Sequence, residues 1–250
     1  MRLLLHEFRT EQLLFWRNRE SAIFTFLLPI IFFLMFGAIY GDSVIEHRYK
    51  GSAFLVAGMI GYGVATVAFA GLAISTVVRR ESGVLKRIRA TPLPPATYLV
   101  AVLFSTLCVF LIEALIIIAL GRILYGVHLP DHPLSLVLAL LLGAAAFAAL
   151  GLGITGFVRS AEGSSAVINV IYLPMAIISG TFFSTRNYPD FLTAIAAILP
   201  LTHFTALTRH IMLDGKPIWT QGRHLAVVGI WGAIGLAAAV KRFRWEPREG

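Results

Sequence analysis

Six apolar stretches, each long enough to cross a bilayer, occupy most of this 250-residue chain. A hydrocarbon core about 30 Å thick needs about 20 residues of helix, because each helical residue advances only 1.5 Å. The spans read as residues 22–40, 53–78, 97–120, 134–158, 164–184 and 225–240. With 58% hydrophobic and 14% charged residues, a water-soluble domain is excluded. The net charge of +8 could suggest nucleic acid, but Lys and Arg retained on the cytoplasmic face of a membrane protein produce the same imbalance. No nucleic acid is expected. Cys108, the one cysteine, lies within a span, so neither a disulfide framework nor a thiolate metal site is available.

Ahead of the first span, Met1, Leu4, Leu5, Phe8, Phe15 and Trp16 share a stripe at helical spacing, with Arg2, Arg9, Arg17 and Glu20 elsewhere. That pattern predicts an interfacial helix over residues 1–20. A secretory signal is the rival reading, but the apolar run is too long and has no small-residue cleavage site. Placing the N-terminus inside puts fourteen Lys and Arg residues in cytoplasmic segments and seven outside, which predicts both termini in the cytoplasm.

Between the fifth and sixth spans, residues 191–199 are apolar but too short to cross, and Pro200 interrupts them before a helical pattern resumes over 201–213. Two short helices dipping into the outer leaflet fit residues 186–215; a surface amphipathic hairpin is the alternative. Small residues recur every fourth position at Ala57, Gly61 and Ala65, at Ala145, Ala149 and Gly153, and at Gly229, Ala233 and Ala237. Such stripes admit close helix packing, within one chain or between subunits.

The link over residues 79–95 reads as a short basic helix with Leu85 and Ile88 on one face, stopped by Pro92, Pro94 and Pro95. A rigid helix projecting from two spans is a lever; a plain basic loop is the alternative. Here the order of residues Glu81, Gly83, Leu85, Ile88, Thr91, Pro92 and Leu93 resembles the cytoplasmic coupling segment of the ABC-2 family of ATP-binding-cassette permeases. Leu173-Pro174 followed by Ser179-Gly180-Thr181-Phe182-Phe183 is similar to that family's fifth-span ending. Leu199-Pro200-Leu201-Thr202-His203, through Arg209, to Leu213-Asp214-Gly215 is similar to its extracellular re-entrant pair. Val84 departs from the small polar residue usual after the coupling glycine.

The resemblance covers essentially the whole chain in order. It implies an all-α membrane protein: one transmembrane domain over 1–250 with six transmembrane helices, an N-terminal interfacial helix, a cytoplasmic coupling helix and an extracellular re-entrant hairpin. It implies two copies of a separate nucleotide-binding ATPase subunit, which would hold ATP and Mg, and a second permease subunit, as a homodimer or alternatively a heterodimer. Glu81, Gly83, Leu85, Arg87 and Ile88 are then the expected ATPase-coupling residues, with Leu85 and Ile88 as buried anchors. The expected place is the plasma (inner) membrane of a prokaryote, in contact with its lipid. The chain itself offers no phosphate-cradling loop: Gly215-Lys216 is followed by Pro217 and lacks the spaced upstream glycine. No cofactor is expected in it.

Glu113 lies about 24 Å up the third span, counting 1.5 Å per residue from Thr97, and a charge there needs a partner or a proton. It reads either as lining for a translocation path or as a carboxyl tying helices together. Asn169 and Tyr172 share a face of the fifth span and could line the same path, or bond between helices. Pro200, His203 and Arg209 are the candidate residues of the hairpin. His128, Asp131 and His132 could hold zinc, but in a proline-containing loop without a helical frame a solvated turn is favoured. Neither G-x-S-x-G nor H-E-x-x-H occurs, so intramembrane proteolysis has no support. An ion-coupled transporter or channel would carry midplane charges and two repeated halves, which are not evident. The expected activity is ATP-driven export of an amphipathic or lipid-like, drug-like compound; export of lipid-linked polysaccharide is the alternative.

Overall fold

A computed structural model describes residues 2–41, 43–46 and 49–247, and of Asn187 the backbone only. Met1, Arg48 and Arg248, which enter the apolar stripe and the charge count, lie outside the described residues. The chain runs α1 (Arg2–Arg17), α2 (Arg19–Tyr40), a two-stranded antiparallel ribbon (Val44–Ile45 with Tyr49–Lys50), then α3 (Gly51–Gly63). A π-helical segment (Val64–Gly71) continues into α4 (Leu72–Glu81), followed by α5 (Val84–Arg89), α6 (Pro95–Tyr125), α7 (Pro133–Thr155) and α8 (Ala161–Ile178). α9 (Asp190–Ala196), α10 (Pro200–Leu213) and α11 (Gly222–Arg242) complete the fold. Among the described residues six helices are long and apolar enough to cross a membrane, as expected, and α9 and α10 meet at an 81° bend.

The fifth span differs most from its expected bounds. α8 stops at Ile178 rather than near residue 184, because Gly180 turns left-handed (φ +76°) and ends the helix. Residues 179–184 then run as a turn, with the Gly180 carbonyl accepting from Nη2 of Arg209. The ribbon and the π segment were not anticipated. Span two is apolar around its whole circumference, so it has no hydrophobic periodicity for a π segment to disturb.

Span two, Gly51–Glu81, is the axis, with 89% of its apolar window buried. Its sequence explains this: glycines and alanines occur around the whole circumference, so neighbours can close in from every side. Gly58 meets the Thr181 carbonyl, Gly61 meets Thr205 of α10, and Gly63 meets the carboxyl of Glu113 on α6. Across the same α6 contact, Gly121 receives Val56. The first small-residue stripe therefore packs within the chain.

Of the other two stripes, the one on α7 enters the helix contact through Ala149 and Gly153, and the one on α11 is displaced from it. α7 and α11 lock through Gly153 against the Gly235 carbonyl, Gly235 against Ala149 and Leu150, and Gly232 against Ala146. Ala145, Ala233 and Ala237 are exposed instead. A stripe of small residues marks a face that can be approached, and which neighbour arrives is set by the other helices.

The two arginines that end span two clamp the base of the bundle. The Nη1 of Arg79 donates to both carboxylate oxygens of Glu11 on α1, at 2.7 and 2.8 Å, and to the Tyr98 hydroxyl of α6 at 3.1 Å. Arg80 is 1% exposed. It gives Nε to Glu81 at 2.7 Å, Nη1 to the Thr155 carbonyl at 2.8 Å and Nη2 to the Val158 carbonyl at 2.7 Å. The Thr155 carbonyl ends α7, where a helix has no internal donors left to satisfy it, and Val158 lies three residues further on in the link to α8. The positive head thus caps a negative helix end as well as pairing with a carboxylate.

α1 packs on α6 through an inward face that includes Glu11, 5% exposed, and Gln12, whose Nε2 donates to the carbonyl and hydroxyl of Ser105 at 3.1 and 2.9 Å. Of the expected apolar stripe, Leu4, Phe8 and Phe15 are partly buried against the bundle, and Leu5 and Trp16 are 52% and 46% exposed. Burial, with Glu11 nearby, pushes the Glu7 carboxyl up on the same helix.

Two outcomes follow. Arg80→Met should destabilise the fold by about 3–5 kcal/mol, because a buried ion pair loses one partner and two carbonyls lose their donor. Thermal unfolding in detergent should show this against the exposed control Arg87→Met, expected within about 0.5 kcal/mol of the parent; equal melting of the two would remove the clamp. Gly58→Ala should cost about 1–3 kcal/mol by forcing a methyl onto the Thr181 carbonyl. Gly229→Ala, with nothing within 4 Å of the new Cβ, should be neutral or stabilising by about 1 kcal/mol in the same melts.

Candidate functional site

Beyond Glu81 the chain breaks at Ser82-Gly83, with Gly83 in the left-handed region (φ +73°), where a side chain would be strained. The turn launches α5 away from span two, and α5 ends at Arg89, before the prolines. Thr91 Oγ1 donates to the Ile88 carbonyl at 2.6 Å, while Pro95 opens α6 at the position a helix tolerates proline. The expected coupling residues divide. Leu85 is completely buried in this chain's own core, with Ile88 partly buried against it. Glu81 is held by Arg80. Val84, Lys86, Arg87 and Arg89 form the exposed remainder. Leu85 therefore anchors α5 to its own bundle, since an apolar residue on a six-residue helix gains most by covering the adjacent core.

At mid-bundle, Glu113 is 2% exposed, and neither carboxylate oxygen has a hydrogen-bond partner among the described residues. Its carboxyl rests on Gly63, where span two changes from α to π winding; a Cβ there would come within 2.9 Å of it. π segments within helices are frequent at functional sites. Tyr62, the preceding residue, shares a 3.1 Å hydroxyl–hydroxyl bond with Tyr172 of α8. Both rings lie within electrostatic reach of Glu113. Glu113 and Tyr172 are thus brought together, while Asn169 is only half-buried on α8.

An aromatic cluster adjoins this pair. Tyr62 packs on Phe32 of α2 at 5.6 Å and on Phe182 at 5.4 Å, and Phe36 meets Phe182 at 5.2 Å. Tyr62 and Phe32 escaped the sequence reading, and Phe182 entered it only as part of the fifth-span ending, because aromatic residues in apolar spans are ordinary filling. Only their convergence with Tyr172 and Glu113 separates them from it.

The opposite end of the bundle is organised by Arg209. Its guanidinium lies 3.5 Å over the Phe54 ring and donates to Gly180, so α10 is fastened to the start of α3 and the end of α8. Its Nε has no partner among the described residues. Glu46 accepts from the Ser184 hydroxyl at 2.6 Å and pairs with Arg186 at 3.4 Å, joining the ribbon to the same turn. Pro200 occupies the first position of α10, and buried His203 stands one turn further on. Asp131 lies against Gly215, and His132 faces the Trp219 ring at 6.3 Å. Among the described residues, no three His, Cys, Asp or Glu side chains converge on a metal position.

Two apolar furrows flank α6. One, of about 530 Å³, runs between α6, α7 and α11, with Leu103, Phe104, Leu141, Ala145, Gly229 and Ala233 among its lining. The other, of about 480 Å³, lies between α1 and Phe104.

The sequence matches the ABC-2 type transporter family over residues 3–213, from α1 to the end of α10. It is 28% identical over 204 residues to the "Putative transport permease YvfS" of Bacillus subtilis (strain 168), covering 81% of this chain and 82% of that protein. It is 24% identical over 209 residues to the daunorubicin resistance ABC transporter permease protein DrrB1 of Streptomyces coeruleorubidus, covering 80% and 71%. A third relative, the inner membrane transport permease YhhJ of Escherichia coli (strain K12), is 25% identical over 175 residues, covering 68% of this chain and 46% of its own length. With six apolar helices able to span a bilayer and a family match over most of its length, this multi-pass membrane protein belongs to the ABC-2 type transporter family.

Proposed function

We propose that the chain is the membrane subunit of an ATP-driven exporter that moves an amphipathic or lipid-like, drug-like compound out of the cytoplasm or the inner leaflet. The family match from α1 to the end of α10 carries the reading. The sequence contains no G-x-x-x-x-G-K-[ST] loop, so ATP and Mg would sit on a separate ATPase, two copies to a pair of permease subunits. The drug-resistance relative and the apolar furrows beside α6 support the cargo class.

In this reading residues 1–250 form one domain in a prokaryotic inner membrane with both termini in the cytoplasm. α1 lies along the inner interface, α5 is the coupling helix and α9–α10 is a re-entrant pair in the outer leaflet. The clamp at Arg79 and Arg80 supports the lever role for α5. A push on α5 is passed through Gly83 to span two, and through Arg79 and Arg80 directly to α1 and α7. ATPase closure can shift the bundle only through contacts that differ between its two states. Glu113 of α6 with the Tyr62–Tyr172 pair, beside the start of the π segment of span two, is the proposed polar patch of the path.

The deciding experiment is cargo flux into sealed vesicles containing the reconstituted complex. Transport that requires ATP and ignores ion gradients is expected; gradient-driven flux from the permease alone would replace the exporter with a secondary transporter. Exchanging the charges of the exposed α5 surface, Lys86→Glu with Arg87→Glu, should leave the melting temperature unchanged and reduce ATPase co-purification at least tenfold. Retained co-purification would return α5 to an ordinary basic loop. Leu85 is the wrong residue for that test, since an Asp there would be buried in the permease itself.

At the polar patch, Glu113→Gln should melt like the parent. Because neither carboxylate oxygen has a partner to orphan, Glu113→Leu should match it or gain about 1–4 kcal/mol. Both should lower flux at least tenfold; unchanged flux in both would make Glu113 a bystander.

A further inference from the structure

Three imidazoles meet where α10 packs against α11. His203, in the first turn of α10, is 4% exposed. Its Nε2–H donates at 2.9 Å to the carbonyl of Ala197, in the break between α9 and α10. A carbonyl only accepts, so Nε2 carries the ring proton and Nδ1 of neutral His203 holds a lone pair. That Nδ1 lies 3.0 Å from Nδ1 of His224, in the first turn of α11, so His224 is the donor. Two turns along α10, Nδ1 of His210 lies 3.0 Å from Oε1 of Gln221. The His224 ring is held between the other two, with centroids 5.1 Å from His203 and 5.3 Å from His210. One further tie reaches the same break: Trp231 Nε1–H donates to the Ile198 carbonyl at 2.9 Å. Two side chains of α11, seven residues apart, thus hold the α9–α10 corner.

A bond between two ring nitrogens exists only while one proton lies between them. One added proton leaves the bond in place, because the ring that stays neutral can present its Nδ1 lone pair to the charged one, and only when both rings are charged does donor face donor. A charge placed on His224 or His210 stands about 5 Å from a neighbouring ring and close to Arg223, so each further charge is opposed. The surrounding elements offer little relief. Lys216 pairs with Asp214 at 3.8 Å, and Asp214 also accepts from the Tyr49 hydroxyl at 2.7 Å. Arg209, beside His210 in sequence, points away to Gly180 and Phe54. On α9 the one ionisable residue is Asp190, at its far end, and α7, packed on both α10 and α11, has none.

We infer that the His203–His224 pair is a proton-operated latch, closed while at least one of its two imidazoles is neutral and released when acid charges both, that fixes the α9–α10 corner to the last span. Its sign follows from proton counting. Released, the two rings of the pair no longer share a proton and both can be charged at once. Closed, the bonded pair accommodates at most one added proton, so the released state binds more protons as pH falls. The latch is therefore fully closed above about pH 6.5 and is lost progressively below it. The pH bathing this end of the bundle would set how freely the α9–α10 pair moves, whatever the cargo.

Hydrogen exchange on the purified chain in lipid nanodiscs tests this, with rates corrected for the intrinsic effect of pH. Between pH 7.5 and 5.5, protection over residues 197–204 should fall at least tenfold while residues 100–118 of α6 keep theirs. His224→Phe, which keeps a ring and removes the donor, should be poorly protected at both pH values. A flat parent profile, a fall shared by α6, or a pH-dependent fall that survives His224→Phe would overturn the latch. Should His224→Phe fail to fold, His210→Asn decides. It keeps a donor for Gln221 and removes one neighbouring charge, so the midpoint should move to lower pH, and an unmoved midpoint rejects the proposal.

Discussion

Span two can be surrounded on every side, and the rest of the bundle depends on that. In lipid there is no hydrophobic force between helices, so association rests on close contact, and close contact requires small residues where backbones meet. Gly58, Gly61 and Gly63 supply it in three directions within two turns, toward the α8 turn, α10 and α6. The other helices keep large apolar side chains on their outer faces: α2, α8 and α11 are each less than a third buried across their apolar windows. One helix is the core, and those around it serve as both wall and membrane surface.

Burying that axis has a consequence at its end. Charged residues finishing a buried helix cannot spread into solvent, so Arg79 and Arg80 find acceptors on neighbours: Glu11 on one side, the carbonyls at and just past the end of α7 on the other. The short helix that follows is thereby tied, within a few residues, to three separate parts of the fold. At the opposite end Arg209 does a similar job for the α8 turn and α3. Polar side chains are few in this chain, and those that are buried sit mostly where one helix end must be joined to another.

The mid-bundle patch is of another kind. Glu113 of α6 is buried without a hydrogen-bond partner among the described residues, against the start of a π segment and beside two bonded tyrosines, an arrangement that stability alone does not favour. Groups held at a cost to stability are the ones whose presence asks for a functional reason, and the unpaired carboxyl separates this patch from the satisfied clamps at either end.

Much was legible in the residues. The spans, the short basic helix, the corner at Pro200 and the family resemblance follow from hydropathy, proline placement and motif order, because lipid imposes length and polarity on each segment separately. Leu85, Arg80, the histidine trio and the Gly232–Gly235 contact were not legible in the same way. An apolar residue on a short helix can serve its own core or a partner, and an arginine at a span end reads as a topology signal until its acceptors are known. His203, His210 and His224 are separated in sequence and become one unit only when α10 packs on α11. Sequence by itself determined what each segment must be, since that depends on local composition and backbone limits. Only the tertiary structure decided which polar groups meet and which face of each helix is inward, because those depend on neighbours contributed by distant parts of the chain.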